Sequence, residues 1–348
     1  MRKPQLLAKQ KRQTVRRMIW ILLFGAAIWS TWWLFASYNL SREINAWFDA
    51  RRADGWQADL RGVHISGFPF HLNATIEAPA LGDPQTGLAF DAGVLTFSAP
   101  AWWPGYVTLD LPQDGINFAT PRAKSTLFIK SGHAEMRLHP GEALELQSLV
   151  LSSAAWQVDV FGDRKLSADG LDVTLTQDAE EASAYRLTAS VAGLRPAATA
   201  RTALRVPQAV PESFDSLQLD LKVRLTRPID IQTLEVSRPQ PQQLDLTLAD
   251  ATWGPMQLRA AASLQIDDRG LANGAMSFQA RNWRGMLDLL ENAELLPQQA
   301  RPQFENILGM IANGGGNADA LDIAFEARDG RLFLGFIPVA QLAPVRIP

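Results

Sequence analysis

The residues of this chain best suited to acid–base or metal chemistry are four histidines, and their spacing keeps them apart. His64 and His71 have opposite parity along a stretch of alternating polarity, so on a regular strand they face opposite sides. His133 and His139 share parity, but on a straight strand about 20 Å would separate them. The chain also contains no cysteine, which excludes disulfides, thiolate metal sites and a cysteine nucleophile.

Motifs for nucleophilic catalysis and phosphate binding are also missing from the sequence. It contains neither the G-x-S-x-G elbow of many hydrolases nor the G-x-x-x-x-G-K-[ST] phosphate loop. Gly314–Gly316 follows a predicted helix, and the dipole at a helix C-terminus repels phosphate. Asp319 and Asp322 lack the spacing of a calcium loop. We therefore predict a protein that is not an enzyme, with no catalytic residue, no metal ligand and no cofactor.

Apolar side chains are the remaining candidates for binding. In Gly67-Phe68-Pro69-Phe70 the proline cannot donate a hydrogen bond to a neighbouring strand, which predicts an edge strand or a bulge. Phe68 and Phe70 then lie on the same side and form either an aromatic ligand surface or a bend in the core. Trp102 and Trp103 point opposite ways on an extended segment, which leaves one of them free to contact lipid. The predicted apolar ligand surface consists of Phe68, Phe70, Leu72, Ile76, Leu95, Phe97, Leu219, Leu221, Val223 and Leu246.

An apolar segment near the N-terminus predicts on which side of a membrane all of these residues lie. Met18–Tyr38 carries no charge and follows a predicted cytoplasmic tail, residues 1–17, with seven Lys/Arg and no Asp/Glu. As a helix the segment extends about 30 Å, the thickness of the hydrocarbon core of a bilayer. Because basic flanks stay in the cytoplasm, the chain from about Asn39 onward is predicted to lie across the membrane. A cleaved signal peptide is the alternative, although the apolar run is longer than a signal core and Phe35-Ala36-Ser37 offers no A-x-A cleavage site.

The predicted exported part is acidic. The chain has 33 Lys/Arg and 36 Asp/Glu, and removing the seven basic residues of the tail leaves 26 against 36, a net charge near −10. An acidic domain repels phosphate backbones, so we predict no nucleic-acid partner. The remaining residues are enough for one large domain or two smaller ones.

A short juxtamembrane helix is predicted over residues 39–53. Leu40, Ile44, Trp47 and Phe48 form an i, i+4, i+7, i+8 stripe on one side of it. Such a stripe is typical of a helix that caps a sheet or lies on a membrane surface.

From Trp56 onward the polarity alternates with a period of two, which predicts strands with one apolar and one wet face. Short turn signals between them predict a mainly β fold, an antiparallel, curved or sandwich-like meander. More than a dozen strands in one open sheet must curl, split or close. We divide the body into a first β-rich part (39–193), a connection with three prolines (194–213) and a second β-rich part (214–348) that contains two helices, Gly285–Leu296 and Arg301–Ala312.

Three segments of the sequence resemble a known family. The first, GWQADLRGVHISGFPFHL, follows the predicted juxtamembrane helix. The second, FSAPAWWPGYVTLDLP, begins at Phe97, and the third, DGRLFLGFIPVAQLAP, lies near the end of the chain. With the single N-terminal anchor, they resemble an uncharacterised family of alphaproteobacterial envelope proteins, domain of unknown function two-one-two-five. The resemblance implies a protein of the bacterial inner membrane with a periplasmic C-terminal domain, and it implies no reaction.

A looser similarity is to AsmA-like envelope proteins. An anchor followed by long β-meanders and a closing hairpin at Gly330–Leu342 is similar to their pattern. That similarity implies a curved sheet whose concave face carries lipid, although this chain is short for a bridge between two membranes. Three functions remain open: a carrier of lipid or another apolar ligand, a structural or assembly factor that binds envelope proteins, and an enzyme acting on cell-wall glycan or lipid head groups, which would need carboxylates that converge only in the fold.

Overall fold

The structure is a computed structural model, and it describes residues 3–103, 105–141, 143–161, 163–231, 233 and 238–347. Its first element is a single helix of 51 residues, α1 (Lys3–Ala53). The predicted anchor and the predicted juxtamembrane helix are therefore one continuous helix. Within it, Arg16–Ala53 contains a stretch that is long and apolar enough to cross a membrane, and only 6% of that stretch is buried against the rest of the molecule.

The described residues after α1 form 23 strands and three further helices. The strands are β1 (Gln57–Asp59), β2 (Gly62–Ser66), β3 (His71–Glu77), β4 (Ala80–Asp83), β5 (Leu88–Ala92), β6 (Val94–Pro100), β7 (Tyr106–Asp110), β8 (Ile116–Ala119), β9 (Lys124–Ile129), β10 (His133–Leu138), β11 (Leu146–Ser153), β12 (Trp156–Val160), β13 (Asp163–Ala168), β14 (Gly170–Gln177), β15 (Ala184–Ala192), β16 (Arg195–Pro196), β17 (Ser216–Leu225), β18 (Pro241–Trp253), β19 (Met256–Ile266), β20 (Ala272–Arg281), β21 (Ala320–Arg328), β22 (Arg331–Leu334) and β23 (Ile337–Gln341). The helices are α2 (Ala198–Ala203), α3 (Trp283–Asn292) and α4 (Arg301–Gly314). The mainly β fold and the two C-terminal helices are thus confirmed.

The strands form two antiparallel sheets. The two sheets meet along the line of short linkers between them, which we call the crease. The large sheet has 15 strands in the order β2-β3-β6-β7-β10-β11-β14-β15-β17-β18-β19-β20-β21-β22-β23, and the small sheet has eight, in the order β1-β4-β5-β8-β9-β12-β13-β16. Up to β16 the chain passes between the sheets through linkers of one to five residues, so each strand of the small sheet continues a strand of the large one. The last crossing, from β16 back to β17 in the large sheet, runs through the longer segment that contains α2. Backbone turns with positive φ lie at several of these crossings, including Ala78, Gly115, Ser131 and Gly193. Over the residues that the structure describes, the predicted long meander is therefore one strand system bent along a line, and it does not close into a barrel.

The buried core is divided into separate clusters along the sheets. One cluster packs α1 against β3 around Trp33 and Leu72. Another fills the crease with Ala92, Ile116 and Ile129. A third, around Trp283, seats α3 and α4 on the far end of the large sheet. Helices therefore cover the large sheet at its two ends.

One detail differs from the sequence-based expectations. Pro69 lies in the turn between β2 and β3, whereas an edge strand or a bulge was expected, so Phe68 and Phe70 are turn residues. At Gly330–Leu342, where a closing hairpin was predicted, β22 and β23 pair with each other, and β23 is the edge of the large sheet. The division into two β-rich parts stays a prediction, and the pairing of β15 with β17 places strands of both parts in one sheet.

Candidate functional site

One face of the large sheet carries a continuous line of apolar side chains, which we call the apolar row. Residues directly opposite each other in antiparallel strands point to the same face, so the strand register identifies its members. The row contains Ile65, Ala74, Phe97, Leu109, Ala134, Leu151, Val173, Ala189, Leu219, Ala249, Ala260, Phe278 and Ile323. At ~4.8 Å between neighbouring strands, the row extends for about 58 Å across the sheet.

The row is covered near its ends and uncovered between them. Ala74, beneath α1, is 4% exposed, and Ile323, beneath α3 and α4, is 8% exposed. The ten residues from Phe97 to Phe278 all remain partly exposed. An apolar face covered by a second layer would be buried along its whole length, so the middle of the row is an open groove.

The opposite face of the same strands is polar. Arg186 Nε donates to Asp220 at 2.9 Å, and the Lys222 ammonium lies 2.6 Å from Asp178. Asp250 is buried on this face; burial raises its pKa, but hydrogen bonds from Arg259 and neighbouring polar groups outweigh that and hold the pKa below its usual value. The charged groups of these strands thus lie away from the groove, and the sheet has one wet and one apolar side.

A cavity of about 750 Å³ lies at the α1 end of the groove, between α1 and both sheets. Fifteen of its seventeen lining residues are apolar, and the two polar ones are Glu43 and Ser98. The large sheet contributes Leu72, Ala74, Ile76, Leu95, Phe97, Ala99 and Val107; α1 contributes Ala36, Leu40, Ile44, Trp47 and Phe48; the small sheet and its linker contribute Pro79, Leu81 and Phe90. The volume lies within the range of ligand-binding pockets, ~300–1,000 Å³.

The structure brings most of the sequence-predicted ligand residues to this face. Leu72, Ile76, Leu95 and Phe97 line the cavity. Leu219 lies farther along the row, beside a second, shallower apolar cavity of about 350 Å³. Leu221, Val223 and Leu246 lie on the same face as Leu219, as the register of β17 and β18 shows. Phe68 and Phe70 lie apart from this set, in the β2–β3 turn, and they line neither cavity.

Sequence reasoning missed how closely α1 contacts the sheet. The Trp29 indole N–H donates to the carbonyl of Pro69 at 2.9 Å, and the Trp33 indole N–H donates to the carbonyl of His71 at 2.9 Å. Trp33 is 7% exposed and packs on Leu72. The signal was present in the sequence, because tryptophans with their polar N–H groups are unusual in the middle of an apolar span and need a partner there.

Titratable groups do not converge in the groove. Across the described residues, no group of three or more His, Asp or Glu side chains has the arrangement of a metal site. His133 lies at the start of β10, beside the crease, where the Asp110 carboxylate accepts a hydrogen bond from Nδ1 at 2.8 Å and raises the pKa of the imidazole. What the site offers chemically is therefore a long apolar surface.

Comparison with known families identifies the family of the chain. The profile of an uncharacterized protein family conserved in bacteria, DUF2125, matches residues 33–343. The chain belongs to the DUF2125 family. The match begins at Trp33, which packs on Leu72 of β3, and extends through β23, so it includes the groove, the part of α1 that lines the cavity, and the helices α3 and α4. No curated protein matches this DUF2125 chain.

Proposed function

We propose that this DUF2125 protein is a membrane-anchored carrier that holds the acyl chains of lipids, or a similar apolar ligand, on the open face of its large sheet. The observation that carries the proposal is the uncovered middle of the apolar row, ten partly exposed residues from Phe97 to Phe278. Burial of apolar surface contributes ~25 cal/mol per Å², so an uncovered face of this length favours an apolar occupant.

The dimensions of the groove suit acyl chains. A bilayer core of ~30 Å holds two leaflets, so one extended chain spans ~15 Å. The apolar row is about 58 Å long and so has room for several chains in sequence. The charged groups of the outer face keep the other side of the sheet in water, as the pair of Arg186 and Asp220 illustrates.

The charge around the candidate anchor supports the proposed location. Seven basic residues precede the apolar part of α1, which favours a cytoplasmic N-terminus and a periplasmic sheet domain at the bacterial inner membrane. The proposed role is non-enzymatic, since a carrier needs apolar contact and no proton transfer. The AsmA-like resemblance agrees with such a carrier and stays a prediction.

Site-specific photocrosslinking in cells tests this function. Benzoylphenylalanine is placed in the full chain at Leu219, in the groove, and as a matched control at Gln218, the adjacent residue of β17 on the outer face. Irradiation followed by mass spectrometry should give lipid adducts at 219 and none at 218. Equal adducts at both positions, or none at 219, would refute a groove that carries lipid. The control also separates groove lipid from lipid that surrounds the anchor.

An assembly factor is a second candidate, and the final strand favours it. All five residues of β23 are exposed, and Phe336 just before it is 94% exposed. β23 is an edge strand of the large sheet, and an exposed apolar edge can pair with a strand of another protein. Benzoylphenylalanine at Phe336 should then capture one discrete protein, and the absence of a protein adduct would refute this role.

A further inference from the structure

The turn between β2 and β3 contacts the part of α1 that is predicted to span the membrane. Trp29 and Trp33 bond to the carbonyls of Pro69 and His71, and both tryptophans precede Tyr38, the last residue of the uncharged segment. At ~1.5 Å per residue they lie about 14 Å and 8 Å inside that end of the segment. The two hydrogen bonds therefore hold the turn beside α1 within the span of the anchor.

The side chains around this turn are large, aromatic and exposed. Phe68 is 55% exposed, Phe70 is 59% exposed and Trp102 is 62% exposed. Trp102 comes from the loop between β6 and β7, and its ring lies 6.3 Å from the ring of His71. The Ala101 N–H donates to the carbonyl of Phe70 at 2.8 Å, which holds the loop and the turn together. We call Phe68, Phe70 and Trp102 the aromatic tip.

Gly67 shows that the turn is built for this tight position. Its φ is +100°, and a Cβ there would lie 2.8 Å from the carbonyl oxygen of His71, so no larger residue fits without a shift. Trp33 meets Phe68 edge to face, with ring centroids 5.4 Å apart. The tip is therefore a defined structure against α1 that presents its aromatic rings outward.

The aromatic tip is continuous with the cavity at the end of the groove. Leu72 packs on Trp33 and also lines the cavity. Ala36, which lies inside the uncharged segment, and Leu40, just beyond it, line the same cavity from the side of α1. The apolar lining thus begins at membrane depth and leads to the apolar row.

We propose that the aromatic tip is inserted into the leaflet that faces the sheet domain, and that it forms the mouth through which glycerophospholipid acyl chains enter the groove from that leaflet. This inference rests on the proposed function for its entry role, whereas the depth of the tip stands on the contacts with α1. An acyl chain that moves from the leaflet past Leu72 enters a cavity in which fifteen of the seventeen lining residues are apolar.

Depth measurement tests the position of the tip. The natural chain has no cysteine, so Phe68→Cys, Trp102→Cys and, as a matched control, Phe336→Cys each carry a single spin label. The full-length chain is reconstituted into vesicles of phosphatidylethanolamine and phosphatidylglycerol, and relaxation by oxygen is compared with relaxation by a water-soluble nickel chelate. The labels at 68 and 102 should be relaxed more strongly by oxygen, which concentrates in hydrocarbon. The label at 336 should be relaxed more strongly by the nickel chelate, which stays in water. Labels at 68 and 102 as accessible to nickel as the label at 336 would overturn the proposal.

Lipid loading tests the entry role. Phe68→Asp/Phe70→Asp is combined with benzoylphenylalanine at Leu219, and the yield of lipid adduct should fall roughly tenfold, because a carboxylate is costly at membrane depth. Phe336→Asp, a change of the same kind at a distant exposed site, should leave the yield unchanged. An unchanged yield in the double variant would overturn the entry role. If the unsubstituted tip gives no adduct at 219 either, the carrier function itself is wrong, and the spin labels then decide the depth of the tip separately.

Discussion

Leu219 and Ile323 lie in the same apolar row, and replacing each by aspartate tests whether the groove is open. Ile323 is 8% exposed and belongs to the cluster around Trp283 beneath α3 and α4. Leu219 is partly exposed on β17, outside the cluster beneath α1 and the cluster beneath α3 and α4. If the groove is open, a carboxylate at 219 reaches water directly, while one at 323 is trapped.

The magnitudes differ enough to measure. Ile323→Asp loses ~2–3 kcal/mol of apolar burial and adds an unpaired buried charge at a further cost of several kcal/mol. That sum approaches the total stability of a typical protein, ~5–15 kcal/mol. Leu219→Asp loses only part of the apolar burial, ~1–2 kcal/mol, and its charge stays hydrated. We therefore expect the two variants to differ by at least ~3 kcal/mol in the free energy of unfolding.

Pulse proteolysis in increasing urea, on the full-length chain in lipid nanodiscs, measures this difference, with all three chains in nanodiscs of the same lipid composition. The unsubstituted chain should have the highest urea midpoint and Leu219→Asp a slightly lower one. The midpoint of Ile323→Asp should lie far below both. Equal destabilisation by the two substitutions would show that Leu219 is part of a dry core. The open groove, and with it the carrier function, would then be wrong.

Three further predictions concern the elements that hold the groove in shape. Asp110 raises the pKa of His133, so the stabilisation from this pair is fully present below about pH 6.5 and is lost as the pH rises through the folded-state pKa. His133→Asn should therefore lower the urea midpoint at about pH 5 and have little effect on it at about pH 9. Tyr185→Phe should cost ~1–2 kcal/mol in urea unfolding, because the Ile229 N–H that donates to the tyrosine hydroxyl at 3.0 Å loses its acceptor. Gly67→Ala should cost ~1–3 kcal/mol in the same assay, because a residue with a Cβ is strained at its φ of +100°. An unchanged midpoint would contradict the close approach of Gly67 to the carbonyl oxygen of His71.

Local patterns in the sequence were enough for the fold class and for the candidate face. Alternation along β17, with leucines at 217, 219 and 221 between polar residues, predicts one apolar face without any knowledge of the neighbouring strands. The stripe formed by Leu40, Ile44, Trp47 and Phe48 likewise predicts the side of α1 that meets the cavity. Periodicity fixes which way a side chain points, and that is a local property.

The crease and the aromatic tip depend on long-range contacts that no local pattern contains. Ala78 turns the chain from β3 to β4 with a φ of +45°, although its neighbours read as one extended stretch. The Trp29 N–H reaches Pro69, forty residues away, so the depth of the turn follows from tertiary contact alone. The uncharged segment also continues into the juxtamembrane helix, because Asn39 and Ser41 do not interrupt helical hydrogen bonding.

The two ends of the apolar row differ in how tightly they are covered, which bears on the proposed transfer of lipid. At the α1 end, a cavity of about 750 Å³ lies between the helix and the sheet. At the far end α3 and α4 pack directly on the sheet, and Ile323 is buried beneath them. On the proposed function, an acyl chain that enters beside α1 therefore finds space at once, whereas one that leaves at the far end must displace the cluster around Trp283. On the proposed function this chain holds its cargo until another component moves those helices, and truncation of Trp283 to alanine, which loosens that cover, should shorten the residence of lipid in the groove.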